Sequence, residues 1–138
     1  MRTLWKLAVV FSLSLVLAGC FGRDQAVYQV EQRPMPTLAS NLTMAEVQRA
    51  IIKAGARRKW VMKQVGPGHM TATLNLRQHE AVVDIRYSRE LFNITYKSSQ
   101  VLRYDPNLKT IHRKYNSWIK HLEGDIVNAL QTASIDKG

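Results

Sequence analysis

Between Lys59 and Lys97, apolar residues recur at every second position, in four stretches separated by residues that favour turns. A period of two is typical of β-strands with one buried face. Such a strand cannot slip by one residue without turning its apolar side to water, so the pattern also constrains strand register. It predicts a meander of four antiparallel strands, and the inward residues of the last three are Met70, Ala72, Leu74, Leu76, Ala81, Val83, Ile85, Tyr87, Phe92, Ile94 and Tyr96.

The same alternation predicts how neighbouring strands pair. Leu76 opposite Ala81, and Tyr87 opposite Phe92, would leave a loop of four residues in each hairpin. The segment 66–68, Gly-Pro-Gly, would join the first strand to the second.

The first strand of the meander has two possible inward faces. Trp60 and Met62 form one apolar pair, and Val61 and Val65 form the other. We predict that Trp60 and Met62 point inward and keep the valine pair as the alternative.

The outward face of the predicted sheet is polar. The register places Asp84 between Thr73 and Thr95, with Arg86 two residues further along the strand. Hydroxyl and charged groups in this arrangement could bind sugar hydroxyls or the polar edge of a partner, although a one-sided antiparallel sheet presents a similar face to water. The candidate binding residues on this face are Thr73, Asp84, Arg86 and Thr95.

The segment before the strands has the signals of an amphipathic helix. Thr43 and Glu46 have the spacing of a capping box, in which each side chain bonds the backbone amide of the other residue. Gly55 follows Ala54 as a residue suited to ending the helix. The sequence therefore predicts a helix from Thr43 to about Ala54.

The segment after the strands has the strongest helical pattern in the chain. Its start is ambiguous, because Arg113 and Lys114 would place positive charge at the positive end of a helix. Asn116 as the N-cap would remove that conflict. The apolar residues that share about 120° of helix arc are Ile111, Tyr115, Trp118, Ile119, Leu122, Ile126, Ala129 and Leu130.

These elements predict a single α+β domain over residues 41–138, in the order α-β-β-β-β-α, with both helices packed on one face of the sheet. Residues 20–40 are polar and proline-rich, so we interpret them as a flexible tether. In the alternative, Val27, Tyr28 and Val30 add a short strand to an exposed edge of the sheet.

A different kind of pattern lies at the N-terminus. Leu17-Ala18-Gly19-Cys20 ends an apolar stretch of eleven residues, which is preceded by basic residues and no acid. Such a stretch is too short to span a bilayer and is typical of a signal peptide. Together these residues resemble the export signal and lipobox of bacterial lipoproteins. The resemblance implies that residues 1–19 are removed between Gly19 and Cys20, and that Cys20 carries a diacylglyceryl group and an N-acyl chain such as palmitate.

The resemblance extends to the location of the protein. The segment 111–119 is similar to small lipoproteins of proteobacterial envelopes, a likeness that implies no particular activity. An aspartate after the lipidated cysteine usually retains a lipoprotein in the inner membrane, whereas Phe21 occupies that position here. We therefore expect a lipid-anchored protein on the periplasmic side of the outer membrane of a Gram-negative bacterium.

The chain is strongly basic. Its 20 basic and 10 acidic side chains give a formal net charge of +10, which falls to +8 when Arg2 and Lys6 leave with the signal peptide. Such an excess attracts polyanions, although part of it can serve solubility alone. The candidate anion-binding residues are six cations within a stretch that contains no acid: Arg49, Lys53, Arg57, Arg58, Lys59 and Lys63.

An exported location limits the partners of this charge. We expect anionic envelope polymer, lipid head groups or another envelope protein, and no nucleic acid.

The histidines offer little support for catalysis. His112 and His121 project to opposite sides of a helix, His69 and His79 lie at the two ends of a strand, and no pair has a metal-ligand spacing. We therefore expect no catalytic residue, no metal and no cofactor beyond the lipid, and interpret the chain as a non-enzymatic binding or assembly module. The alternative is a small periplasmic hydrolase or glycan-processing enzyme with a site near Asp84 and His79.

Overall fold

The computed structural model describes residues 22–138. The predicted signal peptide, its cleavage site and Cys20 lie outside the described residues. The described part has an α+β architecture. Its elements, in chain order, are β1 (Asp24–Ala26), β2 (Val30–Pro34), a 3₁₀ helix (Thr37–Asn41), α1 (Met44–Arg57), β3 (Val61–Gly66), β4 (His69–Leu76), β5 (His79–Tyr87), β6 (Leu91–Gln100), β7 (Thr110–His112) and α2 (Arg113–Lys137).

The main sheet is antiparallel and has the strand order β2-β6-β5-β4-β3. The meander predicted from the alternation corresponds to β3 through β6, and Tyr87 lies opposite Phe92 as predicted. The predicted count of four strands is too low, because β2 adds a fifth strand beside β6. A second, two-stranded sheet pairs β1 with β7.

The hairpin between β4 and β5 is tighter than predicted. Leu76 lies opposite His79 rather than Ala81, so only Arg77 and Gln78 form the turn. Arg77 has a φ of +58°, the left-handed conformation that two-residue hairpin turns use. A shift of two residues leaves the faces of both strands unchanged. Leu76, however, now lies at the tip and is 41% exposed rather than buried.

The inward faces of the strands were predicted correctly apart from this tip. In β3 and the residue before it, Trp60 is buried and Met62 packs against the core, whereas Val61 and Val65 are exposed. A bulge between Gln64 and Gly66 shifts the end of that strand. The opposite face remains accessible to solvent.

The predicted capping box at the start of α1 is confirmed. The Thr43 hydroxyl accepts a hydrogen bond from the Glu46 amide at 3.3 Å, and the Glu46 carboxylate accepts one from the Thr43 amide at 2.7 Å. These two bonds satisfy backbone donors that a helix end would otherwise leave without partners.

The predicted end of α1 at Gly55 is wrong. The helix continues to Arg57, and the chain leaves it through Lys59, which has a φ of +66°. Gly55 is buried, and a Cβ atom there would collide with the side chain of Met62. The glycine therefore allows α1 to approach β3 closely, and it does not terminate the helix.

The second helix begins at Arg113, and the prediction of Asn116 as its N-cap is wrong. His112 caps the helix, since its Nδ1 accepts from the Lys114 amide at 3.2 Å. Ile111, which was predicted to lie on the apolar face of this helix, belongs to β7 instead. Two cations at a helix N-terminus cost only tenths of a kcal/mol, so packing of the first helical turn outweighs them.

The predicted flexible tether is also wrong, because residues from Asp24 onward belong to the fold. Val30 is buried and pairs with Ile94 on β6, as in the alternative of an added edge strand. Asn116 is buried, and its Oδ1 accepts from the Tyr28 amide at 2.9 Å. Prolines are compatible with an edge strand, which leaves one side without hydrogen-bonded neighbours. The domain thus begins well before residue 41.

Asn116→Ala should detach this N-terminal segment from α2. Besides binding Tyr28, the Asn116 amide donates to the Ala26 carbonyl at 2.8 Å, and both backbone groups would lose their partner. We expect the free energy of unfolding to fall by about 2–3 kcal/mol in urea denaturation. Asn128→Ala, at an exposed position of the same helix, should change it by less than about 0.5 kcal/mol. Equal effects of the two substitutions would contradict this account.

Gly68→Ala should be destabilising, whereas Gly66→Ala in the same turn should not. Gly68 has a φ of +64°, and a Cβ atom there would lie 2.6 Å from the Tyr87 carbonyl oxygen. A Cβ atom on Gly66 would meet no atom within 4 Å. We expect Gly68→Ala to cost about 1–3 kcal/mol in thermal or urea unfolding. A Gly68→Ala protein as stable as the Gly66→Ala protein would show that the turn relaxes freely.

Candidate functional site: a basic groove between the two helices

The two helices lie on the same side of the sheet. On α2, Trp118 packs edge-on against His79 with ring centroids 6.3 Å apart, and Tyr115 packs in the same way against Tyr96 at 5.8 Å. His79 and Tyr96 both belong to the inward face, which α1 approaches through Gly55. The predicted packing of both helices on one face is therefore confirmed.

The two helices run antiparallel and are joined by two ion pairs. Lys137 Nζ lies 2.7 Å from Glu46 Oε2, and Arg58 Nε lies 2.6 Å from Asp125 Oδ2. Between these pairs the outer surfaces of the helices leave a groove of about 370 Å³. Its apolar lining consists of the small residues Ala50, Ala129 and Ala133.

Three of the predicted anion-binding residues line this groove from α1. Arg49, Lys53 and Arg57 are spaced four residues apart and therefore lie along one face of the helix. None of them belongs to the ion pairs found among residues 22–138. Like charges at this spacing repel one another by about 0.2–0.5 kcal/mol per pair. An anion lying in the groove would relieve that repulsion.

The acids of the groove do not neutralise these cations. Hydrogen bonds from Lys137 and Thr43 lower the pKa of Glu46 to about 2, so its carboxylate is ionised at neutral pH and already has its partners. Asp136 is the other acid in the lining, at the last turn of α2. The lining thus contains four cations and two acids, an excess of +2.

The other three cations of the predicted cluster lie on different surfaces. Arg58 is turned toward α2, and its hydrogen bond to Asp125 raises the pKa of the guanidinium. Lys59 lies in the turn after α1, and Lys63 lies on the open face of the sheet opposite Thr71. The six candidate anion-binding cations therefore do not share one surface, because the helix end and the strand direct neighbouring residues to different sides.

The polar face of the sheet exists, with a register that differs from the predicted one. Asp84 lies between Thr71 and Thr95, and Thr73 lies opposite Val82. The two-residue hairpin causes this shift, because it moves every pair of β4 and β5 by two positions. Thr73 is therefore not directly opposite Asp84.

We did not predict His69 as a member of this face. His69 Nε2 lies 2.7 Å from Asp84 Oδ1, and Lys97 Nζ lies 3.6 Å from the same oxygen. Arg86 lies opposite His69 and Asn93. His69 is two positions before Thr71 in β4, so the alternation places it on the same outward face. This alternation was the sequence signal for His69. Imidazole, ammonium, hydroxyl and amide groups together make the face a platform of hydrogen-bond donors and acceptors.

The structure does not bring His79 to Asp84. The two residues are five positions apart on β5, so they project from opposite faces of the sheet. His79 faces the core side, where it packs against Trp118. The hydrolase site that was the alternative interpretation is therefore not assembled from this pair.

Two further observations concern residues 22–138. No group of three or more His, Cys, Asp or Glu side chains in this range is placed to hold a metal ion. The same range contains no helix that could span a bilayer.

Comparisons with known proteins assign no family to this chain. No protein-family model, no curated protein and no solved structure matches it. Its function is therefore inferred from its own residues and their arrangement.

Proposed function

We propose that this chain is a lipid-anchored, non-enzymatic lipoprotein of the Gram-negative cell envelope. It is held at the periplasmic side of the outer membrane through acylated Cys20, and it binds an anionic envelope polymer in the groove between α1 and α2. The observation that carries the proposal is the position of this groove relative to the point where the chain enters the fold.

The groove and the anchor lie toward opposite ends of α2. The Arg23 carbonyl accepts a hydrogen bond from the Arg113 amide at 2.7 Å, which fixes the entry of the chain beside the start of α2. Lys137, at the other end of that helix, lines the groove. From Arg113 to Lys137 the helix rises about 36 Å. A domain anchored by Cys20 therefore presents the groove away from the lipid, toward the periplasm.

The cation spacing favours an extended polyanion over a small ion. Successive groove cations are about 6 Å apart along the helix axis, and Arg49 and Arg57 are about 12 Å apart. One carboxylate or phosphate cannot contact both ends of such a row. A polymer with repeated carboxylates, such as peptidoglycan, can contact all three cations at once.

The test uses the mature chain 20–138 carrying Cys20→Ser, which lacks the lipid but keeps every residue of the buried core. It should cosediment with purified peptidoglycan at low salt and release it as salt rises, because exposed charges are screened over about 8 Å at physiological ionic strength. Arg49→Ser/Lys53→Ser/Arg57→Ser should weaken binding by about ten-fold or more, as expected for three exposed charge pairs.

The control is a variant that loses the same number of charges as the groove variant. Lys63→Ser/Arg86→Ser/Lys97→Ser removes three cations from the open face of the sheet and should bind almost as well as the parent chain. Equal losses in the two variants would mean that net charge, rather than the groove, determines binding. Absence of binding by the parent chain at low salt would refute the proposed ligand and point to another envelope protein as the partner.

A further inference from the structure

The end of the domain at which the chain enters the fold has a second basic surface. Two adjoining hollows of about 320 and 120 Å³ share Leu76 and Trp118 in their lining. We define the anchor-end surface as these two residues together with His79 and the three cations around them: Lys59, Arg77 and Lys114. We infer that this surface rests on the anionic head groups of the membrane that holds Cys20, an inference that depends on the proposed lipid anchor.

The length of chain between the anchor and the fold supports this placement. Three residue steps separate Cys20 from Arg23, and a fully extended chain covers at most about 11 Å in three steps. Arg23 is fixed to Arg113, whose neighbour Lys114 lines the larger hollow. Residues from Asp24 onward are folded. The spacer between the membrane and this end of the domain is therefore limited to these three steps.

The chemistry of the surface suits a membrane interface. Leu76 is 41% exposed at the hairpin tip, and the partly buried indole of Trp118 lies beside it. Tryptophan prefers the head-group level of a bilayer, and lysine and arginine extend their charged ends to lipid phosphates. The ionisable residues that line the two hollows are all arginine, lysine or histidine. Arg58 among them is paired with Asp125 and takes no part.

The neighbouring charges also favour an anionic partner here. Asp24 is the acid beside the chain entry, and its Oδ1 is held by Arg103 at 2.6 Å. Arg113 and Lys114 occupy the first turn of α2, where the helix dipole disfavours cations and favours phosphate. Anionic head groups would neutralise both residues at this position.

Tryptophan fluorescence can test the contact directly. In the mature chain carrying Cys20→Ser and Trp60→Phe, Trp118 is the one remaining tryptophan. Vesicles that contain anionic phosphatidylglycerol should shift its emission to the blue, and lipids brominated on the acyl chains should quench it. Arg77→Ser/Lys114→Ser should weaken vesicle binding by about ten-fold or more. Arg49→Ser/Lys53→Ser/Arg57→Ser should leave vesicle binding within about two-fold.

The outcomes separate this inference from the proposed function. If vesicles bind without quenching of Trp118, or if the groove variant loses vesicle binding instead, the anchor-end surface is not the contact. Equal binding to purely zwitterionic vesicles would also overturn it. Peptidoglycan binding by Arg77→Ser/Lys114→Ser should persist, and its loss would contradict the separation of the two surfaces. A failure of lipidation at Cys20 is detected independently by mass spectrometry.

Discussion

Replacing Tyr115 with alanine is expected to lower the free energy of unfolding by about 3–5 kcal/mol. The side chain is fully buried in the first turn of α2, and burial raises the pKa of its hydroxyl. Its ring packs edge-on against Tyr96, which in turn stacks on Tyr104 at 4.1 Å. The substitution would open a cavity where α2, β6 and the loop before β7 meet, and the surrounding backbone cannot close it.

Tyr115→Phe is the matched control, because it keeps the ring and removes only the hydroxyl. We expect its free energy of unfolding to lie within about 1 kcal/mol of the parent value, in urea denaturation followed by circular dichroism. A loss below about 1 kcal/mol for Tyr115→Ala would show that the start of α2 is not docked on the sheet as described.

Replacing Cys20 with serine in the full-length chain is expected to move the protein from the membrane fraction to the soluble periplasmic fraction. A diacylglyceryl group with an N-acyl chain gives stable attachment, which a single acyl chain does not. The anchor-end surface would contact head groups through exposed charges, so a high-salt wash should release any serine variant that this contact holds at the membrane. Fractionation of cells with and without a high-salt wash measures the change.

Phe21→Asp provides the complementary variant for this experiment. It keeps the lipidated cysteine and introduces the residue that usually retains lipoproteins in the inner membrane. We expect the variant to stay membrane-bound and to appear in inner-membrane fractions of a density gradient. A serine variant that still fractionates with membranes after the high-salt wash would contradict anchoring through Cys20.

Features that depend on neighbouring residues could be predicted from the sequence. The capping box needs only Thr43 and Glu46, and the alternation of apolar residues determines which side chains of β4, β5 and β6 face inward. The hairpin loop was predicted too long. The alternation shows which face of the sheet a residue occupies, but it does not distinguish registers that differ by two residues. Arg77 adopts the left-handed conformation that makes a two-residue turn possible. An arginine side chain does not predict this conformation.

Several other errors concern contacts between residues far apart in the sequence. The segment around Val30 resembles a tether because its partners, Ile94 and Asn116, lie more than 60 residues away. Asn116 resembles an N-cap for the same reason, since its partners belong to the N-terminal segment. A local pattern contains no information about such distant pairing.

The candidate site was only partly predictable for related reasons. The spacing of Arg49, Lys53 and Arg57 on one helix face can be read from the sequence. The direction of Arg58 depends on Asp125, which lies 67 residues away. His69 joins Asp84 only because the sheet has the observed register. The six candidate cations are close together in the sequence, but the fold places only three of them in the groove.

Mass spectrometry of the N-terminus of the mature protein, isolated from its native membrane, tests the proposed lipid anchor at Cys20. We expect a chain that begins at Cys20 and carries the added mass of a diacylglyceryl group and an N-acyl chain. An N-terminal peptide that begins elsewhere, or an unmodified Cys20, would contradict both the lipid anchor and the orientation of the domain derived from it.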